Sequence, residues 1–366
     1  MQFLNFGNGS DGVLNVVTST QNPIDAPMTG VSGENTVSAT NPSFAIGQMV
    51  LLHQSRGANT GRWQVNKIVD YEPGIVTLEQ PLDFDFVSLS QIIVIPQYSQ
   101  VNVTGTFSAK AWNGSVGGVL AYLCNGLTNV TGSISANGKG FRGGSAVIGG
   151  QAWSGEGTGG ASVLQRTENG TGGGGGQGDS GNRGPGGGGG GYATAGVTGD
   201  PSNGNLGGVG GTTYGNEALT TLMLGGGGGG GARGAGVQGT PGSGSNGGGI
   251  VLAFSKEFYI NPTTGSITAD GLAGVNASGA EQSGGGGGGS GGSVFLKGQI
   301  LSLGTNRVTA NGGSGGIGLQ SVDGGAGGTG RVRTEGCRIT GNANSPTPSK
   351  AEGGFNFCGS LASIIG

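Results

Sequence analysis

Short apolar runs alternate with turn residues over the first hundred positions of the chain. These runs are 47–54, 63–71, 74–82 and 91–98. They are rich in β-branched residues, and Gly, Pro, Asn and Asp separate them, which is typical of short strands joined by turns. No helical period of useful length accompanies them. The pattern predicts an N-terminal β domain over residues 1–100, built as a small antiparallel barrel or as a sandwich.

From residue 101 onward, a pair of apolar strands recurs as an internal repeat. Each copy opens with Gly-Gly and an apolar strand, and its second strand ends in Ala, then Asn or Asp, then Gly. The copies are 117–140, 248–274 and 291–316, with a weaker one at 327–341, and the aligned alanines are Ala136, Ala269 and Ala310. Such repetition is typical of solenoids and stacked layers, in which each unit buries its apolar face only against its neighbours.

Glycine accounts for 93 of the 366 residues and is concentrated in a long excursion, 138–247, between the first two repeats. Glycine loses more backbone entropy on ordering than any other residue, so composition alone favours a flexible linker. Two features favour an ordered structure instead. The runs lie inside repeat units, and larger residues that need a place to pack interrupt them: Trp153, Tyr192, Tyr214 and the stretch 219–224. The sequence leaves both interpretations open.

A left-handed helix with three residues per turn offers a way to order glycine runs. The polyproline II helix has no internal hydrogen bonds, and its N–H and C=O groups point outward. Helices without side chains can therefore approach closely and bond to one another, with Cα–H···O contacts adding weak support. We predict bundles of polyglycine II helices, with Gly174, Gly188, Gly228 and Gly286 at structural positions in the middle of the runs.

The whole pattern predicts an all-β chain with essentially no α-helix. We expect the β barrel or sandwich of residues 1–100 to serve attachment or assembly. A β-solenoid-like repeat domain with packed polyglycine II helices is expected over 101–341, followed by a C-terminal tail over 342–366.

Charge and composition exclude several classes of function. The chain has 16 Lys and Arg against 19 Asp and Glu, so it lacks the basic field that nucleic-acid binding requires. Its longest apolar stretches are too short to cross a bilayer, and its first residues lack the basic and apolar regions of a Sec signal peptide. We therefore expect no nucleic acid, no membrane insertion and no Sec export.

Residues for common metal and nucleophile chemistry are scarce. The three cysteines, Cys124, Cys337 and Cys358, are too few for a disulfide scaffold or a zinc site, and whether Cys337 and Cys358 pair is left open. His53 is the sole histidine, which excludes multi-histidine metal sites; as it follows an apolar strand, we interpret it as a hydrogen-bonded core or surface residue. We expect no metal and no cofactor.

Asp83 and Asp85 have a spacing suited to a carboxylate pair for glycoside cleavage. Residues i and i+2 share a face if the segment is a strand, and two carboxylates on one face can act as acid and base or nucleophile. The simpler interpretation is a solvated turn flanked by Phe84 and Phe86. We favour the turn and expect that the protein is not an enzyme.

Three blocks carry a resemblance to known glycine-rich proteins: 46–69, 111–144 and 284–316. They are similar to bacterial and phage glycine-rich surface proteins, and the chain resembles the tip adhesins of some phage long tail fibres, whose glycine islands form stacked polyglycine II bundles. The likeness extends over most of the chain, although the sizeable N-terminal β domain and the long excursions depart from the tip-adhesin pattern.

The resemblance implies binding to a host-cell receptor, either an outer-membrane protein or a surface polysaccharide, through loops between the glycine runs. By that analogy the loops here are 151–170, 192–224 and 232–247, and their aromatic residues Trp153, Tyr192 and Tyr214 are the candidate receptor contacts; the alternative is that these residues wedge the glycine bundle. Aromatic groups on rigid loops are frequent anchors in recognition surfaces.

The function expected from the sequence is therefore structural and adhesive. We expect a component of a virion tail or a cell-surface fibre, joined through its N-terminal domain to other tail or fibre proteins, or to its own copies as a trimer or filament. Two alternatives remain: a self-assembling extracellular fibre or sheath subunit without a receptor, and a capsule-degrading tailspike that uses Asp83 and Asp85.

Overall fold

The computed structural model describes residues 6–22, 24–179, 184–236, 238–279, 282–342 and 349–352. These residues form strands and connecting segments and contain no helix. In chain order the strands are β1 (Val13–Val16), β2 (Ser19–Asn22), β3 (Asp25–Gly30), β4 (Thr36–Ala39), β5 (Met49–Gln54), β6 (Trp63–Glu72), β7 (Gly74–Leu78), β8 (Phe86–Ile95), β9 (Gln97–Tyr98), β10 (Gln100–Val103), β11 (Thr106–Ala109), β12 (Val119–Val130), β13 (Ser133–Ser135), β14 (Val147–Ile148), β15 (Ala232–Arg233), β16 (Ile250–Ile260), β17 (Ser266–Thr268), β18 (Ser293–Thr305), β19 (Val308–Thr309), β20 (Arg331–Asn342) and β21 (Ser349–Glu352). The all-β prediction is confirmed.

Strands β3 to β8 close into an antiparallel barrel in the order β3-β4-β7-β6-β5-β8. Of the two N-terminal architectures that the sequence allows, the structure shows the barrel. Its interior holds a conventional apolar core: Ala26, Met28, Val37, Ala39, Phe44, Val50, Leu52, Ile68, Val76, Leu78, Leu82, Phe86, Ile92 and Val94. Closure leaves this small sheet without edges.

The other long strands form two sheets whose strand pairs are all parallel. The first sheet has the order β1-β10-β12-β16-β18-β20-β21, with β9 beside β12, and the second has the order β19-β17-β13-β11-β2. Successive units give one strand to each sheet. The predicted repeats pair in register, since Leu120 aligns with Val251 and Val294 in the first sheet. The apolar core between the sheets includes Ala136 and its counterparts in the other repeats, all fully buried.

Strands β1 and β2 belong to the parallel sheets, although they lie within the predicted N-terminal domain. Val13 pairs with Gln100 on β10, and Ser19 pairs with Thr106 on β11. Val16 is buried in the core between the sheets. This first unit lacks the Gly-Gly opening that marks the other copies, which is why its sequence gave no repeat signal.

The barrel packs against the outer face of the first parallel sheet. Leu51 and Ile93 on the barrel belong to one buried cluster with Leu252 and Phe254 on the sheet. Strand β5 is consequently buried on both of its faces, because Val50 and Leu52 point into the barrel core. Apolar residues of the segment 219–224 complete this cluster.

In the chain between the sheet strands, the glycine-rich segments lie side by side and bond to one another through their backbones. We call a segment a glycine rod where its N–H groups bond to the same neighbouring segment at every third residue. The rods are 141–147, 151–157, 171–177, 185–191, 196–200, 207–212, 225–231, 242–248, 270–277, 284–292, 311–317 and 323–330. Successive rods run in opposite directions: 225–231 is parallel to 141–147 and antiparallel to 242–248.

Candidate recognition surface on a glycine bundle

The rod 284–292 shows how the bundle satisfies its backbone. The N–H groups of Gly284, Gly287 and Ser290 bond to carbonyls of the rod 225–231 and its next residue, at 2.9, 2.8 and 2.9 Å. The next register, Gly285, Gly288 and Gly291, bonds to the segment 322–328. The third register, Gly286, Gly289 and Gly292, bonds to 269–275. The backbone donors of one rod therefore point in three directions, each toward a different neighbour.

The rod 185–191 is enclosed on all sides. Its N–H groups bond to three rods, and N–H groups of three further rods bond to its carbonyls. The acceptor rods are 171–177, 196–200 and 284–292, and the donor rods are 207–212, 225–231 and 323–330. Backbone polar groups that are buried in this way are satisfied between chain segments, as in a sheet, but in two dimensions.

The predicted structural glycines lie at contacts where no side chain fits. A Cβ atom on Gly174 would overlap the carbonyl oxygen of Arg166, and one on Gly188 would overlap that of Val209. The same holds for Gly228 against Gly287, and a Cβ on Gly286 would overlap the carbonyl oxygen of Ser243. The atoms that block these positions belong to the backbone, so they cannot move aside as the end of a flexible side chain can.

The rods hold a set of turns at the end of the bundle that is far from the sheets. Strands β16, β18 and β20 each continue directly from the sheet end of the bundle. We call the opposite turns the distal turns; those described without gaps are 148–151, 201–206 and 317–322. Each carries an exposed apolar side chain: Ile148 is 55 % exposed, Leu206 50 % and Ile317 64 %. Leu206 lies within the predicted receptor loop 192–224, whereas no sequence signal marks Ile148 or Ile317, because a lone apolar residue among glycines gives no periodic pattern.

Trp153 lies on a hairpin at the side of the bundle. It pairs with Leu164, and Ser154 donates a hydrogen bond to the carbonyl of Val163 at 2.7 Å. Trp153 is 37 % exposed, and Val163 and Leu164 are also exposed. This hairpin therefore presents an apolar surface patch within the predicted loop 151–170.

Tyr192 is buried, so it does not face a partner. Its hydroxyl lies 2.9 Å from Ser293 Oγ, and Arg331 stacks 5.4 Å from the centre of its ring. Burial is the main cause that raises the pKa of Tyr192 to about 12. Its position fits the alternative that it wedges the bundle, here against the start of β18, rather than a receptor contact. Its large apolar ring fills space that the surrounding glycines, which have no side chains, cannot fill.

Tyr214 is 40 % exposed and lies next to Tyr192 in space. The N–H of Tyr214 donates to the carbonyl of Tyr192 at 2.9 Å, and Arg331 donates to the carbonyl of Tyr214 at 3.0 Å. Trp153, by contrast, bonds through its backbone to Ser145 and Gly230. The three aromatic residues therefore do not form one site, and Trp153 and Tyr214 are the two that reach the surface.

The predicted receptor loop 192–224 is partly a core element. Leu219, Leu222, Met223 and Leu224 are fully buried. Leu222 donates its N–H to the carbonyl of Gly61 at 2.9 Å, and its own carbonyl accepts from the barrel residue His53. The stretch 219–224 thus ties the bundle to the barrel, and its four apolar side chains are not available to a receptor.

His53 lies within β5 and is fully buried, so of the two positions that the sequence leaves open, core and surface, it occupies the core. Its Nε2 lies 2.8 Å from the carbonyl oxygen of Leu222, and its Nδ1 lies 2.9 Å from Ser55 Oγ. A carbonyl only accepts, so Nε2 carries the proton and Nδ1 accepts from the serine hydroxyl. Burial lowers the pKa of His53 to about 4, and the bond to Leu222 offsets this in part.

The structure does not place Asp83 and Asp85 on one strand face. Both are exposed and precede β8, in a segment without strand pairing, so the alternation argument does not apply. Asp85 accepts a hydrogen bond from the N–H of Ser32 at 2.8 Å, as expected of a turn residue. Asp85 and Glu34 line an open cleft of about 620 Å³ at the barrel rim, whereas Asp83 does not.

Glu156 is a buried carboxylate that no sequence motif marks as functional. Its side chain is fully buried, and it forms ion pairs with Arg56 and with Arg142, whose Nε lies 3.0 Å away. Trp112 Nε1 donates to the same carboxylate at 3.1 Å. Arg56 follows β5 of the barrel, so this cluster joins the barrel to the rod 151–157. Burial, followed by the charge of Arg142, lowers the pKa of Arg56.

The cysteines do not form a metal site in the described part of the chain. Cys124 is free and buried, and Cys337 is disulfide-bonded. Cys358 lies outside the described residues. No cluster of three or more His, Cys, Asp or Glu among the described residues could hold a metal ion. The described residues form no helix that is long and apolar enough to span a membrane.

No protein-family model matches the chain, and no curated protein is significantly similar to it. The function proposed below is therefore inferred from the rods, the distal turns and the exposed side chains of this structure.

Proposed function

We propose that this protein is a non-enzymatic scaffold that presents surface turns for adhesion. The observation that carries the proposal is the three-way hydrogen bonding of the rods, because it holds a nearly side-chain-free bundle in one arrangement. The exposed apolar residues of the distal turns and the hairpin around Trp153 are the candidate contact surfaces. Turns on a rigid frame can change in sequence without unfolding the frame.

The rods are best described as polyglycine II helices. A bond to the same neighbour at every third residue is what a helix with three residues per turn requires, and such a helix has no internal hydrogen bonds. The two parallel sheets supply the base from which the rods project, and the in-register repeats support a solenoid-like stack. Glycine substitution in such a bundle resembles glycine substitution in collagen, where a side chain at the crowded axis disrupts the packing.

The proposed setting is a virion tail or a cell-surface fibre. The partner is a receptor on the host surface, either an outer-membrane protein or a polysaccharide, and the barrel is the proposed attachment point to other tail or fibre proteins. The low charge, with 16 basic against 19 acidic residues, fits contact through apolar and hydrogen-bonding groups better than through long-range electrostatics.

Cell binding of the intact chain tests this proposal. The labelled protein is incubated with a panel of Gram-negative cells, and bound fluorescence is compared with that of an Ile148→Ser, Leu206→Ser, Ile317→Ser triple variant. We expect binding to at least one strain and its loss in the triple variant. A Tyr259→Ser variant, altered at an exposed sheet residue, is the matched control. Absence of binding throughout the panel, or equal binding by the triple variant, contradicts the proposal.

A fibre subunit is the second candidate, and the ends of the sheets favour it. Among the described residues, β1 and β2 are the last strands at the same end of the two parallel sheets. An edge strand presents N–H and C=O groups that another chain can pair with. Filaments that lengthen with protein concentration in negative stain, together with no cell binding, would favour the fibre over the adhesin.

A further inference from the structure

A cleft of about 560 Å³ lies where the N-terminal segment, one end of the barrel and the start of the first parallel sheet meet. It is distinct from the distal turns and from the cleft beside Asp85. Its volume falls within the range of about 300–1,000 Å³ that is typical of small-molecule sites. Met49 and Ile95 contribute apolar wall, and Asp11, Gln97 and Tyr98 contribute polar groups.

Gln97 is the central polar group of this cleft and is only 8 % exposed. Its Oε1 accepts a hydrogen bond from the N–H of Asn8 at 3.2 Å, which orients the amide. The Nε2 group has no partner among the described residues, although Gln97 lines the cleft. This atom is not among the fully buried polar atoms, so it can donate a hydrogen bond to a ligand or to water in the cleft.

Two further groups complete the polar set. Asp11 uses Oδ2 to accept from the N–H of Gln97 at 2.6 Å, so Oδ1 is the carboxylate oxygen that this bond leaves for another donor. The hydroxyl of Tyr98 makes no hydrogen bond to a described residue, and its ring lies 6.3 Å from that of Tyr122. Burial, with the charge of Asp11 as a smaller cause, raises the pKa of Tyr98 to about 12, so the hydroxyl keeps its proton.

The combination of groups selects a class of ligand. The Nε2 group of Gln97 needs an acceptor, which an ammonium group cannot supply. Asp11 is exposed and negatively charged, so it can accept from a ligand donor but repels an anion, which disfavours phosphate and carboxylate ligands. An apolar ligand would form no hydrogen bond with either group. A sugar hydroxyl both donates and accepts, and the C–H faces of a sugar ring pack on apolar and aromatic walls.

We propose that this cleft binds a neutral sugar residue through Asp11, Gln97 and Tyr98. The site lies at one end of the barrel and is independent of the adhesive surface proposed above. If no sugar binds to this cleft, the outcome of the cell-binding experiment does not change. If the protein does not bind cells, the outcome of the sugar titration does not change.

The test is a titration of the ¹⁵N-labelled full chain with the methyl glycosides of glucose, galactose, mannose and N-acetylglucosamine. We expect saturable shifts of the Gln97 side-chain NH₂ signals with at least one of them. Tyr98→Phe should weaken binding by about tenfold, the effect of losing one hydrogen bond of about 1.4 kcal/mol. Tyr259→Phe, at an exposed sheet position, is the matched control and should not change it.

A second variant tests the donor directly. Gln97→Glu keeps the acceptor for Asn8 but replaces the NH₂ donor with a carboxylate oxygen beside Asp11, so sugar binding should be abolished while the melting temperature shows that the chain still folds. Absence of shifts with all four glycosides overturns the proposal. So does equal binding by Gln97→Glu, or binding of tetramethylammonium in preference to the glycosides.

Discussion

The barrel and the glycine bundle both bury backbone polar groups, but the barrel fills its interior with large side chains and the bundle has almost none. Both must satisfy buried backbone and exclude water. The barrel pairs its backbone within one closed sheet and fills the interior with large side chains such as Leu52, Ile68 and Phe86. The bundle pairs its backbone in three directions and has almost no side chains between its rods. Van der Waals contact in the bundle is therefore contact between backbones.

The difference determines which change each region tolerates. A core of side chains is weakened by removal of atoms, because a cavity remains. A core of backbones is weakened by addition of atoms, because no space exists for a Cβ. The two regions should thus respond oppositely to the size of a side chain, and the following experiments test this, beginning with the largest expected effect.

Gly228→Val should prevent the bundle from folding or destabilise the chain by about 3 kcal/mol or more. The new Cβ would overlap the carbonyl of Gly287. Gly150→Val is the matched control, because a Cβ there meets only Val147 Cγ1 at 3.8 Å, and it should change stability by no more than about 0.5 kcal/mol. Chemical denaturation measures both. Equal, small effects would mean that the rods are not packed.

Glu156→Gln should cost about 3–5 kcal/mol, since it leaves the buried Arg56 without its counter-charge. Because this pair joins the barrel to the bundle, the two regions should then unfold in separate transitions. Glu79→Gln is the control: its pair with Lys67 is exposed and 3.5 Å long, so the loss should be at most about 1 kcal/mol. Calorimetry that shows one unchanged transition in Glu156→Gln would contradict this role.

Leu52→Ala should destabilise the barrel by about 2–5 kcal/mol through the cavity it leaves in a fully buried position. The barrel should lose stability when side-chain atoms are removed, whereas the bundle should lose stability when side-chain atoms are added. Amide exchange of the rods, followed by mass spectrometry, should stay slow in this variant while exchange in β5 and β6 accelerates. Faster amide exchange in the rods, without faster exchange in the barrel strands, would contradict the expectation that Leu52 stabilises the barrel and not the bundle.

Lowering the pH should weaken the contact between barrel and bundle. The pKa of His53 is about 4 in the folded chain and about 6.5 when unfolded, so the unfolded state binds more protons between these values. The contribution of His53 is fully present above pH 6.5 and declines as the pH falls toward 4. Melting temperatures of wild type and His53→Gln should therefore converge over this window. A constant difference would show that His53 does not titrate in this way.

Trp153→Ala should have the smallest effect on stability, within about 0.5 kcal/mol, because the ring lies on the surface of the bundle. Tyr192→Phe is the comparison: loss of the buried hydroxyl beside Ser293 should cost about 1 kcal/mol. A larger loss for Trp153→Ala than for Tyr192→Phe would reverse the assignment of surface and core.

The sequence predicts the parts of this fold that depend on local pattern. Alternating apolar runs indicate the barrel strands, and the recurring strand pair indicates the aligned strands β12, β16 and β18. Glycine runs such as 284–289 indicate close approach of backbones. These features are predictable because each depends on residues that are near one another in the chain.

Features that depend on distant partners are not predictable in this way. Tyr192 and Trp153 are alike as aromatic residues in a glycine-rich context, yet one is buried beside Ser293 and the other is exposed. Glu156 acquires its role from Arg56, which is one hundred positions away. Strands β1 and β2 are separated from β10 by the whole barrel, so their membership of the sheets is visible only in three dimensions.

Because successive rods run in opposite directions, each repeat must contain an even number of rods. The chain leaves a strand of the second sheet and must come back to a strand of the first sheet, so rods can be added or lost only in pairs, one running away from the sheets and one running back. The segment 138–249 obeys this rule with several such pairs, whereas 270–292 and 311–330 each contain one. The bundle can thus widen by paired insertion at any repeat while the strands that flank the insertion keep their register.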